Sequence, residues 1–193
     1  MLKNLKNKSS LIGIFWMVVT TIFFVGVTIF VKFLGEIVPS SQTAFIRYLF
    51  GTIFLLPVIL KSFKDTQFPL IKKFFFRSFF HAIGVSLWFY SMTVITIAEV
   101  TAIGYLTPIF VCIGALLLFK EKLKGYRTFA VLFSFLGVIV ILRPGFQEIK
   151  LGQILMLLAS FVFAISYLMA KHLSDSKNSL EIVGFLSIFT TIF

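Results

Sequence analysis

The sequence predicts an all-α integral membrane protein, a polytopic helix bundle with about six or seven transmembrane helices. Hydrophobic residues make up 59% of the 193 residues and charged residues only 13%, whereas a soluble domain carries roughly a quarter charged residues. No charge occurs between Ser9 and Val31, and roughly 20 apolar helical residues cross a hydrocarbon core. Further apolar spans follow, separated by short connecting segments that are rich in lysine and are called clips below.

These clips predict where each helix begins and ends. The expected helices lie at about 11–31, 40–60, two within 77–120, 126–142, 151–170, and one that starts after Glu181 and continues to Phe193.

The stretch from Arg77 to Lys120 contains one charge, Glu99, and has about twice the length of one span. It must therefore fold back, most simply at "TVITIAEV", to give helices 3 and 4. Thr96 and Glu99 in that segment fit a capping box, which would start helix 4. Helix 5 is expected to end before Arg143-Pro144-Gly145, because proline cannot continue a helix.

Lysine and arginine are distributed unevenly between alternate clips. One side carries most of them, including Lys72, Lys73 and Arg77 before helix 3, and the other side carries only Lys32, Arg143 and Lys150. Because cytoplasmic loops are enriched in these residues, residues 1–10 are expected to be a cytoplasmic N-terminus in the cytoplasmic (inner) membrane. The same clips account for the net charge of +11, so no nucleic-acid partner is predicted.

A shift of 139 residues aligns the beginning of the chain with its end. Matching pairs include Gly13 with Gly152, Phe24 with Phe163, and Ser40 with Ser179. Five helices separate the copies, so the second copy enters the membrane in the opposite direction, as in many secondary transporters. We expect a first five-helix repeat at 11–143 and the beginning of a second, inverted repeat at 150–193, apparently truncated.

The segment "YLTPIFVCIGALLLFKEKLKGYRTFAVLFSFLGVIVILRPG" (105–145) resembles the EamA-type transporters of the drug/metabolite transporter superfamily. The residues that carry the resemblance are Pro108, Glu121, Gly137, Arg143, Pro144 and Gly145. The resemblance implies ten helices in two inverted five-helix repeats, with an alternating-access cavity between them. It also implies that most of the second repeat is missing from this chain.

Arg47 lies in the apolar sequence "SQTAFIRYLFG", about 10 Å inside helix 2 at 1.5 Å per residue. A charge at that depth normally faces a cavity, a partner or the interface. Three interpretations remain open: the side chain snorkels to the outer headgroups, pairs with Glu99, or contacts an anionic or zwitterionic substrate. Glu99 is interpreted as a capping residue, as the partner of Arg47, or as a site of proton coupling.

Four other residues are candidates for the translocation path. Pro108 leaves the carbonyl of residue 104 without its usual donor, and such breaks are tolerated where they line protein or a water-filled cavity; a packing kink is the alternative. Trp88, Tyr90 and Tyr105 could stack on a substrate or anchor the helices at the interface. His81, expected near the cytoplasmic surface, has no second ligand nearby in sequence and is a poor metal candidate.

The leading hypothesis is a secondary transporter of small polar or amphiphilic metabolites, such as amino acids or S-adenosylmethionine-like compounds. The sequence contains no P-loop and no nucleophile elbow, so neither an ATP-driven pump nor an enzyme is predicted, and no metal or cofactor. Expected partners are the lipid bilayer, a small-molecule substrate, and either a second copy of the chain or the missing repeat. The alternatives are a non-transporting scaffold or assembly subunit, and an inactive fragment.

Overall fold

The computed structural model describes residues 2–35, 37–119, 125–142 and 149–193, which form helices and no strands. The helices are α1 (Leu2–Leu34), α2 (Ser40–Lys64), α3 (Phe68–Val94), α4 (Ile97–Gly104), α5 (Leu106–Phe119), α6 (Gly125–Leu142), α7 (Leu151–Leu173) and α8 (Ser179–Ile192).

Four helical segments are long and apolar enough to cross a membrane: Leu11–Leu34, Ser40–Lys64, Ile97–Phe119 and Leu151–Leu173. Large apolar side chains cover much of the outside of the bundle; in α1, for example, Phe23 is 72% exposed and Met17 74%. Exposed apolar surface on this scale indicates contact with lipid. The prediction of a polytopic all-helical membrane protein is confirmed.

The start of α3 differs from the prediction. The helix begins at Phe68, so Lys72, Lys73 and Arg77 are helical and do not belong to a clip. Pro69, in the first turn, favours a helix start at this point. Lysine stems can lie along apolar surface while the ammonium group reaches water, which lets Lys72 and Lys73 remain exposed. Arg77 is instead only 5% exposed and lies inside the bundle.

Helices α3 and α7 pack closely together in antiparallel directions. Gly84 of α3 contacts Phe163 of α7, while Gly152 at the start of α7 contacts Val94 near the end of α3. Their contact contributes Trp88, Phe89, Met92 and Phe163, among others, to the main hydrophobic core. This pair forms the centre of the described structure.

Helices α2 and α8 are also antiparallel neighbours. Ser62 at the end of α2 donates a hydrogen bond to Glu181 in the first turn of α8, whereas the Oγ1 atoms of Thr52 and Thr191 are 3.1 Å apart. The first residues of α2 and α8, Ser40 and Ser179, are 139 positions apart, as are the last residues of α1 and α7, Leu34 and Leu173. These are relations that the predicted inverted repeat requires.

The span Ile97–Phe119 is interrupted at Tyr105, between α4 and α5. Pro108 has no N–H to give to the carbonyl of Gly104, which explains an interruption at this position. Ser160 of α7 donates a hydrogen bond to the adjacent carbonyl of Ile103, at 3.1 Å, and a Cβ at Gly104 would lie 3.3 Å from Met156 of α7. This face of the broken helix packs against α7, which favours a packing kink over a pathway.

Candidate functional site

Arg47 lies among aromatic rings at the contact of α2 and α3. Its guanidinium carbon is 5.2 Å from the ring centroid of Tyr48, 5.8 Å from Trp88 and 5.9 Å from Phe89. A cation within about 6 Å of a ring face is attracted by the ring quadrupole. The structure therefore brings together two predicted site residues, Arg47 and Trp88.

The rings around Arg47 continue onto α1 and α7. Trp88 stacks on Phe24 of α1, with centroids 5.1 Å apart, and meets Phe163 of α7 edge-on at 6.2 Å. Phe163 in turn stacks on Tyr167, at 6.1 Å. We call the region formed by Phe24, Arg47, Tyr48, Trp88, Phe163 and Tyr167 the aromatic groove. Tyr48, Trp88 and Phe163 are buried, whereas Phe24, Arg47 and Tyr167 are exposed at its edge.

A buried chain of hydrogen bonds lies next to the aromatic groove. The Tyr48 hydroxyl and Nε2 of His81 are 2.9 Å apart, and Nδ1 of His81 is 3.4 Å from the Ser166 hydroxyl. His81 is 7% exposed and, because α3 begins at Phe68, lies in the middle of that helix and not one turn from its start as expected. Both ring nitrogens have a protein partner, and the described residues contain no group of three His, Cys, Asp or Glu that could hold a metal.

Arg77 is a buried cation, one helical turn from His81 on α3, whereas Arg47 is exposed. Arg77 donates a hydrogen bond to the carbonyl of Ile182 in α8, at 3.0 Å, while its buried Nε has no partner. Because Arg77 follows Lys72 and Lys73 closely in sequence, the charge pattern assigns it to the same connecting segment; its spacing of four residues from His81 is the signal that points inside the bundle.

Glu99 does not pair with Arg47. Its side chain accepts hydrogen bonds from the backbone N–H of Thr96, at 2.8 Å, and from the Gln153 amide, at 2.7 Å. Thr96 in turn accepts from the Glu99 N–H at 3.2 Å, which completes the predicted capping box. The salt bridge found among residues with described side chains joins Lys177 and Glu181 at the start of α8, and it involves neither Arg47 nor Glu99. The proposed pairing of Arg47 with Glu99 is therefore wrong in this conformation.

The other predicted path residues lie away from the aromatic groove. Tyr90 is 41% exposed and Tyr105 58%, and Pro108 is also exposed. Gly137 of the family motif lies on α6 with open space around its Cα. The remaining motif residues, Glu121, Arg143, Pro144 and Gly145, fall outside the described residues.

A cavity of about 340 Å³ opens between α2, α3 and α8, beside the aromatic groove. Tyr48 belongs to both, because it lies under Arg47 and also lines the cavity. The lining carries no charged side chain; it joins apolar residues such as Phe45 and Val85 to polar ones such as Gln42 and Ser86. Tyr48 therefore borders both regions.

Comparison with known proteins decides the family. The model of the EamA-like transporter family matches residues 11–143, which is most of the chain. The chain belongs to the EamA-like transporter family. The resemblance seen around "YLTPIF" and "ILRPG" is thus confirmed, and the chain is a multi-pass membrane protein.

Curated relatives within this bacterial transporter family are similar over most of the chain. The S-adenosylmethionine uptake transporter of Rickettsia prowazekii (strain Madrid E) is 24% identical over 188 residues, covering 96% of this chain and 63% of the relative. The riboflavin transporter of Vibrio cholerae serotype O1 is 30% identical over 159 residues, covering 80% of this chain and 53% of the relative. The riboflavin transporter of Brucella anthropi is 25% identical over 158 residues.

The chain spans a little under two thirds of the length of the S-adenosylmethionine uptake transporters that it matches. No solved structure matches this EamA-like chain.

Proposed function

We propose that this protein is a secondary transporter, or forms part of one, that moves a small, ring-bearing polar metabolite across the cytoplasmic membrane. The observation that carries the proposal is Arg47, which is exposed at the edge of the aromatic groove beside Tyr48 and Trp88 and makes no salt bridge with a described carboxylate. A cation and aromatic faces together bind a planar ring or an anionic group. The names of the relatives support this class, since S-adenosylmethionine and riboflavin are polar metabolites that carry planar heteroaromatic rings.

The proposed mechanism is alternating access between two inverted five-helix repeats. Residues 11–143 would form the first repeat and 150–193 the beginning of the second, with residues 1–10 in the cytoplasm. The common spacing of 139 between α1 and α7 and between α2 and α8 supports this organisation, as does the antiparallel contact of Thr52 with Thr191. Inverted repeats of this kind usually place the substrate site at their interface, near the bilayer midplane.

The test is uptake of labelled S-adenosylmethionine and riboflavin by the protein reconstituted in liposomes. We expect Arg47→Ala to lower uptake of the transported compound by about tenfold or more, because a charge-assisted contact is lost. Arg47→Lys should retain part of the uptake, since it keeps the charge but not the planar fork. Lys72→Ala is the matched control, because it removes an exposed cation that lies over Phe68 at the far end of α3.

Undiminished uptake by Arg47→Ala would remove Arg47 from the substrate path. Absence of uptake by the unmodified, folded protein would favour a scaffold or assembly subunit, which predicts no substrate-dependent flux in any variant. A dimer that transports, where the separated chain does not, would identify a second copy as the missing partner.

A further inference from the structure

The last turns of α2 are joined to the start of α8 by a small polar cluster. The Ser62 hydroxyl, in a residue that is 4% exposed, donates a hydrogen bond to Glu181 and accepts one from Lys177 Nζ at 3.1 Å. Lys177 and Glu181 lie four residues apart at the start of α8 and also form a salt bridge with each other at 3.1 Å. We call these three residues the Ser62 cluster, in which Ser62 is the member from α2.

The Ser62 cluster can separate without leaving a charge unpaired. If α2 moves away from α8, the two hydrogen bonds to Ser62 are lost, but Lys177 and Glu181 stay together because both belong to the α8 side. The Ser62 hydroxyl can then donate to the carbonyl four residues earlier in its own helix, as Thr52 does to Tyr48 at 2.9 Å. Separating the partners of a buried ion pair is strongly unfavourable, and this movement avoids that cost.

The other contacts at this end hold α8 to α3 more firmly than to α2. The ring of Phe185 in α8 is 0% exposed and stacks on Phe74 of α3, with centroids 4.5 Å apart. The buried Arg77 of α3 donates to the Ile182 carbonyl of α8 at 3.0 Å. From α2, the ring of Phe63 reaches Phe185 in a looser, tilted contact at 5.8 Å. At this end α2 is therefore the helix that can move at the lower cost.

A proline lies at the position where such a movement would bend α2. Pro57 is inside the helix, between the Thr52–Thr191 contact and Ser62, which follows it by about 7.5 Å at 1.5 Å per residue. It has no N–H for the carbonyl of Ile53, and prolines are common positions of helix kinks. The segment after Pro57 can therefore tilt while the segment before it keeps its contact with α8.

We infer that the end of α2 is a hinged gate at the cytoplasmic face: bending at Pro57 breaks the hydrogen bonds of Ser62 and opens the space between α2 and α8 to the cytoplasm. In the described structure the Ser62 cluster is intact, so this end is closed. The inference rests on the proposed function, because alternating access needs a closed and an open state at each face of the membrane, and on the orientation proposed there.

The test measures how fast a membrane-impermeant maleimide labels single cysteines in inside-out membrane vesicles, with Cys112 replaced by Ala. Ile59→Cys reports on the segment after Pro57, because Ile59 is 2% exposed and a Cβ at Gly184 of α8 would lie 2.9 Å from its Cγ1. Leu55→Cys reports on the segment before Pro57, since the same Cβ would lie 3.9 Å from Cβ of Leu55.

We expect Ser62→Ala to raise the labelling rate of Ile59→Cys by about tenfold, because hydrogen bonds to charged groups are removed from the closed state alone. The labelling rate of Leu55→Cys should change by less than about twofold, since that segment keeps its bonds. Ser187→Ala is the matched control and should change neither rate, because this hydroxyl of α8 bonds to Val183 of its own helix at 3.0 Å.

The role of Pro57 is tested by adding Pro57→Ala to Ser62→Ala. The rise at Ile59→Cys should fall to about threefold or less, because alanine restores the helical hydrogen bond that proline removes. An undiminished rise would overturn the assignment of the hinge to Pro57.

An unchanged labelling rate of Ile59→Cys in Ser62→Ala would overturn the gate. Equal rises at Ile59→Cys and Leu55→Cys would also overturn it, because they indicate a general loosening of the bundle. Faster labelling in right-side-out vesicles than in inside-out ones would contradict its position at the cytoplasmic face. Labelling requires no substrate, so failure of the gate is distinguishable from failure of the proposed uptake.

Discussion

At the scale of single residues, Tyr48 and His81 depend on each other. Both side chains are buried, at 7% exposure each, and each satisfies the other across 2.9 Å between α2 and α3. In a low-dielectric interior a paired polar group stabilises the contact, whereas an unpaired one is strongly unfavourable. This bond therefore holds the α2–α3 contact at the point where the aromatic groove meets the cavity.

Replacing Tyr48 by Phe is expected to lower the free energy of unfolding by about 1–3 kcal/mol, because it leaves the Nε2 atom of His81 buried without a partner. Tyr90→Phe removes a hydroxyl from an exposed tyrosine of α3 and should change stability by less than about 0.5 kcal/mol. Unfolding in mixed micelles at increasing sodium dodecyl sulfate measures both. Equal effects of the two substitutions would show that the His81 nitrogen finds another donor.

At the scale of helices, the contact of α3 with α7 depends on the missing side chain of Gly84. A Cβ at this position would lie 2.8 Å from Cδ1 of Phe163. The Phe163 ring has little room to move, because it also packs against His81, with centroids 5.1 Å apart, and against Tyr167. Small residues allow such close approach between membrane helices, and here the approach also fixes one wall of the aromatic groove.

Gly84→Ala is therefore expected to destabilise the protein by about 1–3 kcal/mol through overpacking, even though alanine favours a helix. Gly26→Ala on α1 is the matched control, because a Cβ there meets no atom within 4 Å; it should be neutral or stabilising by about 0.5–1 kcal/mol. The same detergent unfolding measures both changes. If Gly84→Ala combined with Phe163→Leu does not recover stability, the clash with the ring is not the cause.

At the scale of the whole molecule, α2 and α8 determine how the first helices of the chain meet its last ones. The cytoplasmic end of this pair, in the proposed orientation, is joined by Lys177, whose Nζ donates to both Ser62 Oγ and Glu181 Oε1 at 3.1 Å. Farther along, a Cβ at Gly51 would lie 3.6 Å from Cβ of Ser187. The pair therefore has a single antiparallel register along its whole contact.

That register predicts a disulfide bond. Cβ atoms about 3.5–4.5 Å apart suit a disulfide, so Gly51→Cys with Ser187→Cys should cross-link on mild oxidation when Cys112 is replaced by Ala. Gly51→Cys with Ile188→Cys is the control, since the neighbouring residue is rotated by about 100° around the helix. The cross-link is detected by a mobility shift in a gel that reduction reverses. Preferential cross-linking of the control pair would mean that α2 and α8 meet in another register.

Much of this fold could be predicted from the sequence, because the length of an apolar span, its capping residues and its prolines are visible within a short stretch of sequence. The helix starting at Thr96 followed from its capping box, and the interruption at Tyr105 followed from Pro108. Arg47 was found because a charge within an apolar span is conspicuous. The hydrogen bonds next to Arg47 could not be predicted in the same way. Tyr48 and His81 are 33 residues apart in sequence and His81 and Ser166 are 85 apart, and no local pattern encodes contacts at such separations.

The start of α3 was missed for a different physical reason. Cations normally mark the end of a membrane span, but Phe74, Phe75 and Phe76 next to Lys72 and Lys73 supply enough apolar surface to keep that segment helical. Arg77 follows at a position that faces α8, where the Ile182 carbonyl accepts its hydrogen bond. The sequence shows the charge but not the helix that covers it.

The contact between Thr52 and Thr191 has a special consequence if the two repeats exchange conformations during transport. In the proposed repeat, the operation that turns one copy into the other moves residue 52 to position 191, so this contact would be symmetric under the exchange. A contact between two equivalent residues has the same geometry before and after the repeats exchange their conformations. In the oxidised Gly51→Cys, Ser187→Cys protein the cross-link lies about one helical turn, and less than two, from this contact, and this protein should therefore continue to transport. If α2 and α8 separate at this contact in each cycle, the cross-link should stop transport.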